Sequence, residues 1–235
     1  MFTEFLSARD AQRVSLAMEK LSAYGFRGGA LAGGVAAEAH LLARGLGTEQ
    51  RPLNDLDFVV ESFAAIPGSL ADRFLVHHVH PQALEGKTLL QLIDPEQALR
   101  IDFFRQFGAT LTRTERRHGL TVISLEDVIA RTTSLVLSHL RKGQPLDVKH
   151  ARGFRRLSGL GDSAKVDAAW RDHRQAEREW FRDAERDARE LLARHPELII
   201  REQYSAEVRI CPKCQDDGPF QRARPDTIVK ALGYW

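Results

Sequence analysis

The 235-residue chain has nearly balanced charge and enough apolar residues to build a core. It carries 34 Lys and Arg against 32 Asp and Glu, a formal net charge of +2, and 43% of its residues are hydrophobic. This length favours one or two domains, and the composition excludes a histone-like nucleic-acid coat, an acidic solvating tail and wholesale disorder. We find neither a signal peptide nor an uncharged apolar run of the roughly 18 residues that a membrane span requires. We therefore expect a cytoplasmic protein without membrane contact.

Helical and strand patterns alternate through the first half of the chain. Apolar residues at helical spacing predict a helix over 8–24, and a second helix over 35–45 follows a short apolar strand that ends in a glycine pair. Apolar and alternating runs predict strands over 56–62, 73–79, 88–94, 99–105 and 119–123. These patterns predict the α+β class, with an α/β core built on a mixed sheet and followed by a helical domain.

The sequence changes character at Ser124. A capping box of Ser124 with Asp127 predicts a helix that ends at Gly143, and a second helix is expected over about 145–158. Residues 162–194 are interpreted as one long charged helix with a thin apolar stripe, suited to packing on the body or on a second copy in a homodimer. The predicted parts are a core domain (1–123), a helical domain with the long charged helix (124–197) and a small tail (198–235).

Three aspartates on predicted strands form the main candidate site. Asp55 and Asp57 share one face of their strand because side chains at i and i+2 project together, and two such carboxylates repel unless a cation lies between them. Asp102 lies on a later strand between apolar residues and adds a third carboxylate if the two strands pair. Carboxylate oxygens suit Mg²⁺, and three acids can hold two ions that activate an attacking hydroxyl and stabilise a leaving phosphate.

A glycine pair adds a phosphate-binding element. Gly33 and Gly34 lie between an apolar strand and a helix. Glycine lets the backbone approach a phosphate, and the following helix N-terminus offers free N–H groups. A plain turn and a solvated strand end explain the two motifs when each is taken alone. Their combination in this order points to metal-assisted phosphoryl chemistry.

The order of these motifs resembles a known superfamily. The segments LAGG (31–34), NDLDFVV (54–60) and RIDFF (100–104) are similar to motifs of nucleotidyltransferases of the DNA polymerase β type. Within that superfamily the chain most resembles the AbiEii-like group, which includes toxins of toxin–antitoxin pairs. The resemblance covers about residues 25–158 and departs from the family pattern at Leu53 and Asn54, where the family often has a small hydroxyl residue.

The resemblance implies transfer of a nucleoside monophosphate from an NTP to an acceptor hydroxyl, with release of pyrophosphate. Asp55 and Asp57 would hold two Mg²⁺ ions, while Asp102 would ligate one ion and help to deprotonate the acceptor. The residues expected to bind the nucleotide are Gly33, Gly34, Arg51 and Lys149. The acceptor stays open between RNA such as tRNA, a protein and a small molecule, and an antitoxin is a candidate partner.

Three alternatives to this function stay open. An enzyme of the antibiotic-modifying kind would use the same residues on a small-molecule acceptor. A catalytically silent module would keep the fold and bind a nucleotide or RNA, although the intact carboxylates argue against it. A structural or regulatory protein would dimerise through the charged helix and hold zinc in its tail.

Cys211 and Cys214 form a CPKC pair with the spacing of half a zinc ribbon. These are the only two cysteines in the sequence, so His173 and His195, or the equivalent cysteine pair of a second subunit, could complete a Zn²⁺ site. A redox role and no role at all are the other interpretations. The surrounding residues do not suggest the βα context of a thioredoxin-like motif.

Three histidines of one predicted strand are a further group of ligand-type side chains. His78 and His80 share a face of that strand, and His77 lies on the other. This arrangement suits either metal ligation or a strand that is partly exposed to solvent. The sequence does not connect these histidines to any second group of ligands.

Overall fold

A computed structural model describes residues 2–48, 53–174, 178–201 and 211–233. Residue contacts divide this part of the chain into two compact units. The first unit comprises residues 2–48, 53–106, 114–122 and 211–233, and the second comprises 107–113, 123–174 and 178–201. Residues 211–233, which the sequence suggested as part of a separate tail, group with the first unit.

The helices and strands follow in chain order. The α-helices are α1 (Ala8–Ala23), α2 (Gly33–Ala43), α3 (Leu125–Arg141), α4 (Val148–Leu157), α5 (Ser163–His173), α6 (Phe181–Arg194) and α7 (Pro225–Leu232). The strands are β1 (Ala30–Leu31), β2 (Asp55–Val60), β3 (Leu75–Val79), β4 (Thr88–Asp94), β5 (Leu99–Arg105), β6 (Glu115–Arg117), β7 (Leu120–Val122), β8 (Leu146–Asp147) and β9 (Ile199–Ile200). Short 3-10 helices span Phe2–Glu4, Phe63–Ala65, Gly68–Asp72, Thr110–Arg113 and Pro196–Leu198. No helix of the described residues combines the length and apolarity needed to cross a bilayer.

A seven-stranded mixed sheet organises the first unit. Its strand order is β3-β4-β5-β2-β1-β7-β6. β2 runs parallel to β5 and β1 runs parallel to β7, whereas the other neighbouring pairs are antiparallel. The predicted α+β class with a mixed sheet is confirmed.

An aromatic cluster fixes the two central strands of this sheet. The ring of Phe26 lies 5.2 Å from that of Phe58 and 5.1 Å from that of Phe103, and the last two rings stack at 5.6 Å. Phe58 and Phe103 directly follow Asp57 and Asp102, so the alternation of strand side chains places the two aspartates on the opposite face. Burial of the aromatic face therefore determines where the carboxylates project.

Helix α3 is the centre of the second unit. It packs against α4, α5 and α6, and the parallel strands β8 and β9 form a small separate sheet. Buried residues of this core include Val136, Leu137, Leu140, Phe154, Trp170, Ala184, Ala188 and Leu192. Ser124 caps α3 by accepting a hydrogen bond from the backbone N–H of Asp127 at 3.0 Å, which is the capping residue expected from the sequence.

The charged stretch 162–194 forms two helices, α5 and α6, rather than the single long helix predicted from the sequence. The indole N–H of Trp170 donates to the carbonyl oxygen of Arg178 at 3.0 Å, and the backbone N–H of Phe181 donates to Asp167 Oδ1 at 3.2 Å. These bonds bring the start of α6 beside α5. The break lets both apolar stripes pack against α3, whereas one straight helix would leave part of its stripe in water.

Candidate active site

The three predicted aspartates lie on one face of the sheet. In the parallel pairing of β2 with β5, Asp57 is the register partner of Asp102, and Asp55 is the partner of Arg100. Register partners on neighbouring strands project to the same side, as do residues two apart on one strand. The three carboxylates and the Arg100 guanidinium therefore form a two-by-two block, which we call the carboxylate block.

Arg100 is the cation within the carboxylate block. Its Nη2 atom donates to Asp55 Oδ2 at 2.5 Å, and its Nε atom lies 3.2 Å from Asp102 Oδ2. The guanidinium thereby offsets part of the repulsion between two carboxylates on adjacent strands. Sequence reasoning missed Arg100 as a site residue, although its position two residues before Asp102 places it on the same strand face.

Asp102 is buried, and one of its two carboxylate oxygens lacks a hydrogen bond within the described part of the chain. Its relative exposure is 3%, and its Oδ1 atom has no hydrogen-bond partner among the described residues. Burial raises the pKa of Asp102 to about 6, and the charge of Asp55 adds to the rise although Arg100 opposes it. A divalent cation beside this carboxylate would relieve both the desolvation and the repulsion.

Gly33 brings the start of α2 against Asp57. Gly33 is the first residue of α2 and has φ +57°, and a Cβ atom added there would overlap the Asp57 carboxylate. The backbone N–H of Ala32 donates to the carbonyl oxygen of Asp57 at 2.8 Å, which holds the two segments together. Ala32 is the N-cap and has no side chain able to cap the helix, so the first turn presents backbone N–H groups suited to an anion. Gly34 is the second residue of this turn.

The structure does not test the other two residues expected to bind nucleotide. Arg51 lies outside the described residues. Lys149 belongs to the second unit, where its backbone N–H donates to the side chain of Asp147, the N-cap of α4, at 2.6 Å. Their contacts with a nucleotide stay predictions.

Cys211 and Cys214 lie in the first unit beside two histidines of strand β3 and its end. The ligand atoms of Cys211, Cys214, His78 and His80 all lie within 4.8 Å of one another. The histidines that accompany the cysteines are therefore His78 and His80, which sequence reasoning had noted but had not connected to the CPKC pair.

The two histidines expected to complete a zinc site have other partners. His173 is buried and its Nε2 atom lies 2.8 Å from Asp127 Oδ1. His195 Nδ1 lies 3.0 Å from the Glu197 carboxylate. Each imidazole thus contacts a carboxylate of its own unit, and a metal site that combines these two histidines with the cysteines stays a prediction.

Two solved structures are similar to this chain. The solution structure of the antibiotic-resistance factor ANT(2'')-Ia aligns with 80% of this chain and 98% of that one, at 16% identity and a TM-score of 0.45. A crystal structure of an H. pylori protein described as a nucleotidyltransferase aligns with 82% of this chain and 95% of that one, at 12% identity and a TM-score of 0.32. No family model matches the chain, and no curated protein matches it.

The identities and TM-scores of both likenesses are too low to carry an argument, so the chemistry of the site rests on this chain's own side chains. The AbiEii-like subgroup stays a prediction.

Proposed function

We propose that this chain is a Mg²⁺-dependent nucleotidyltransferase that moves a nucleoside monophosphate from an NTP to an acceptor hydroxyl and releases pyrophosphate. The observation that carries the proposal is the position of the carboxylate block beside the uncapped N-terminus of α2. Carboxylates suit the cations that accompany a triphosphate, and the helix N-terminus suits the triphosphate itself. The two halves of a phosphoryl-transfer site are thus adjacent in one unit.

The side chains of the block fit a hard divalent cation. Every side-chain donor of Asp55, Asp57 and Asp102 is oxygen, and one buried oxygen of Asp102 has no hydrogen bond within the described chain. A carboxylate that is buried with an unused oxygen gains more from a cation than an exposed one does. When bound, Mg²⁺ would neutralise charge on the phosphates and lower the pKa of an attacking hydroxyl.

Each side chain of the block then has a distinct role. Asp55 and Asp57 would hold the cations, and Asp102 would complete the ligand set and accept the proton of the acceptor hydroxyl. Without a cation, burial raises the pKa of Asp102 to about 6, and a bound cation would favour its ionised form, which can accept a proton. Arg100 limits the repulsion among the carboxylates before substrate binds. The N–H groups at Gly33 and Gly34 bind the triphosphate.

The acceptor hydroxyl can belong to any of three classes of molecule. RNA, a protein and a small molecule are all compatible with a site that presents carboxylates and a helix N-terminus. A toxin-like activity with an antitoxin partner belongs to the first two classes of acceptor, and an antibiotic-type activity belongs to the third.

A label-transfer assay tests the proposed function. The full chain is incubated with each α-labelled NTP, Mg²⁺ and either total RNA, total protein or a panel of hydroxylated small molecules. We expect label in one acceptor class with the wild type and none with Asp57→Asn, which keeps the size of the side chain but removes a cation ligand. Asp226→Asn is the matched control, because that carboxylate is 70% exposed and distant in sequence from the block.

Three results of this assay would count against the proposal. Equal labelling by wild type and Asp57→Asn would remove the carboxylate block from the reaction. Labelling from γ-labelled instead of α-labelled NTP would indicate phosphate transfer rather than nucleotidyl transfer. NTP binding without transfer to any acceptor class would favour the silent nucleotide-binding module.

A further inference from the structure

Four ligand-type side chains meet where strand β3 ends. His78 lies in β3 and His80 follows its last residue, while Cys211 and Cys214 flank a tight turn closed by a 3.2 Å hydrogen bond from the Cys214 N–H to the Cys211 carbonyl oxygen. His78 Nδ1 lies 3.0 Å from Cys214 Sγ, and His80 Nε2 lies 3.4 Å from Cys211 Sγ and 3.6 Å from Cys214 Sγ. Each of the four therefore directs a donor atom toward a common centre.

We propose that this cluster is a structural zinc site, with His78 Nδ1, His80 Nε2 and the two thiolates as its ligands. Zinc bound tetrahedrally at about 2.3 Å from sulfur and about 2.0–2.1 Å from nitrogen places sulfur and nitrogen ligands about 3.5 Å apart. The three sulfur–nitrogen distances of 3.0, 3.4 and 3.6 Å bracket that value. Two thiolates with two imidazoles form the Cys₂His₂ set that selects zinc over the hard cations Mg²⁺ and Ca²⁺.

The orientation of His80 supports ligation through Nε2. Its Nδ1 atom lies 3.1 Å from the carbonyl oxygen of Lys213, the residue before Cys214. A proton on Nδ1 satisfies that carbonyl and leaves the Nε2 lone pair facing the sulfur atoms. Ligating histidines commonly donate their second N–H to a carbonyl or carboxylate, because the bond fixes the tautomer and the ring plane.

The proposed ion would attach the C-terminal segment 211–233 to the edge of the sheet. β3 is an edge strand, and this segment binds it through hydrogen bonds from the Gln215 N–H to the Val79 carbonyl oxygen at 3.1 Å and from the Ala223 N–H to the Val76 carbonyl oxygen at 2.8 Å. Ile228 of α7 is fully buried, and α7 packs against β3 and β4. The segment therefore covers a strand edge that would otherwise be open to pairing with another chain.

Four protein ligands leave no open position, so we infer a structural rather than a catalytic role for the ion. The cluster nevertheless lies on the same face of the sheet as the carboxylate block. His78 pairs in register with Gln91, Gln91 with Asp102, and Asp102 with Asp57. Two strand spacings separate His78 from Asp102, which corresponds to about 10 Å. The zinc proposal does not depend on nucleotidyl transfer and stands or fails separately from it.

Metal analysis and X-ray absorption of the full chain, purified under reducing conditions, test the site. We expect one zinc ion per chain, with two sulfur ligands at about 2.3 Å and two nitrogen ligands at about 2.0–2.1 Å. Zinc should be lost in the double variant Cys211→Ser/Cys214→Ser and retained in His195→Ala, which removes a histidine that already contacts Glu197. Zinc retained by the double variant, an all-oxygen or all-nitrogen ligand set, or a reduced chain that binds no added zinc would overturn the proposal.

A second measurement uses only the wild-type chain, because the double variant could fail to fold. Removing zinc with a chelator should lower the melting temperature by about 4 °C or more and expose segment 211–233 to protease, and both effects should reverse when zinc is returned. Cobalt in place of zinc should give the intense visible absorption of a tetrahedral site with thiolate ligands. An unchanged melting temperature with unchanged proteolysis, or a Cys211–Cys214 disulfide in the folded, metal-free chain, would contradict the site.

Discussion

Two buried aspartates, Asp102 in the first unit and Asp127 in the second, have opposite surroundings. Asp127 is fully buried, and its oxygens accept bonds from Arg113 at 2.7 and 2.9 Å, from Ser124 Oγ at 2.5 Å and from His173 at 2.8 Å. Burial alone would raise its pKa, but these hydrogen bonds, led by that of His173, lower it to about 2.

Asp102 is almost as deeply buried, yet one of its oxygens has no bond within the described chain and its pKa rises to about 6. The difference separates a buried carboxylate that stabilises the fold from one that is available to bind a ligand. Asp127 has its full set of partners and holds α3 and α5 to the segment before β6. Asp102 contacts Arg100 through one oxygen, but its other oxygen has no hydrogen-bond partner among the described residues, as expected of a group that binds a ligand.

The largest effect should come from Asp102→Asn, tested by turnover. We expect a loss of about 10³-fold in kcat, because the variant removes a carboxylate from the point where charge develops and cannot accept the acceptor proton. Steady-state kinetics of NTP consumption, once the acceptor class is known, measure the loss. Retention of more than about one tenth of wild-type activity would contradict a catalytic role for Asp102.

Asp127→Asn should act on stability instead. It removes the bidentate partner of the half-buried Arg113, which keeps Asp172, and it weakens the hydrogen bond of buried Asp127 with His173. We expect the free energy of unfolding to fall by about 2 kcal/mol. Urea denaturation of both variants against wild type measures the change, with exposed Asp226→Asn as control. A change no larger than that of the control would show that the bonds to Asp127 do not hold the second unit together.

The pH dependence of stability should have opposite signs at the two sites in chelator-treated protein. The folded pKa of Asp102 lies above its ordinary value of 3.8, so its favourable contribution is present below about pH 4 and is lost as the pH rises through 6. The folded pKa of Asp127 lies below that value, so its contribution is present above about pH 4 and is lost as the pH falls toward 2.

The contribution should amount to about 3 kcal/mol for Asp102 and about 2 kcal/mol for Asp127. The free energy of unfolding is measured from pH 3 to 8 for wild type and Asp102→Asn. The difference between the two proteins gives the contribution of Asp102 ionisation to stability. That difference should favour the variant increasingly between pH 4 and 6. A pH-independent difference would contradict the raised pKa.

The smallest expected effect is that of Gly33→Ala. A side chain at φ +57° costs about 1–2 kcal/mol, and the added methyl group would also displace Asp57. Gly28→Ala is the matched control, since nothing lies within 4 Å of a Cβ atom added there. Denaturation and Mg²⁺ titration of both variants measure the result. Equal stability and equal cation affinity would show that close approach at Gly33 is not required.

Much of the carboxylate block could be predicted from sequence because its signals are local. Alternation places Asp55 and Asp57 on one face, and the apolar neighbours of Asp102 indicate a buried strand. Arg100 was not predicted, because its partner Asp55 lies 45 residues away and meets it only through the parallel pairing of β2 with β5. Local patterns do not encode which strands pair.

The same limit explains the cysteine cluster. The CPKC spacing indicates half of a metal site, but His78 and Cys214 are 136 residues apart in sequence. Strand β6 was missed for a different reason. It joins β7 through His118 and Gly119, both with positive φ, and histidine is an uncommon residue in such a hairpin turn.

The break between α5 and α6 could not be predicted from the charge pattern. Residues 162–194 contain no proline or glycine. The helical spacing of the apolar residues therefore continues past the end of α5 without a local signal for a break. Packing of both helices on α3 determines the break, and this tertiary preference overrides local propensity.

Calorimetric titration with a non-hydrolysable NTP analogue, in Mg²⁺ and in chelator, shows whether the carboxylate block and the start of α2 bind a cation and a nucleotide together. If the carboxylate block beside α2 is a cation–nucleotide site, wild type should bind the analogue only with Mg²⁺, Asp57→Asn should lose that binding, and Asp226→Asn should keep it. Binding that is equally tight in chelator, or equally tight in Asp57→Asn, would contradict the assignment of the block as the active site.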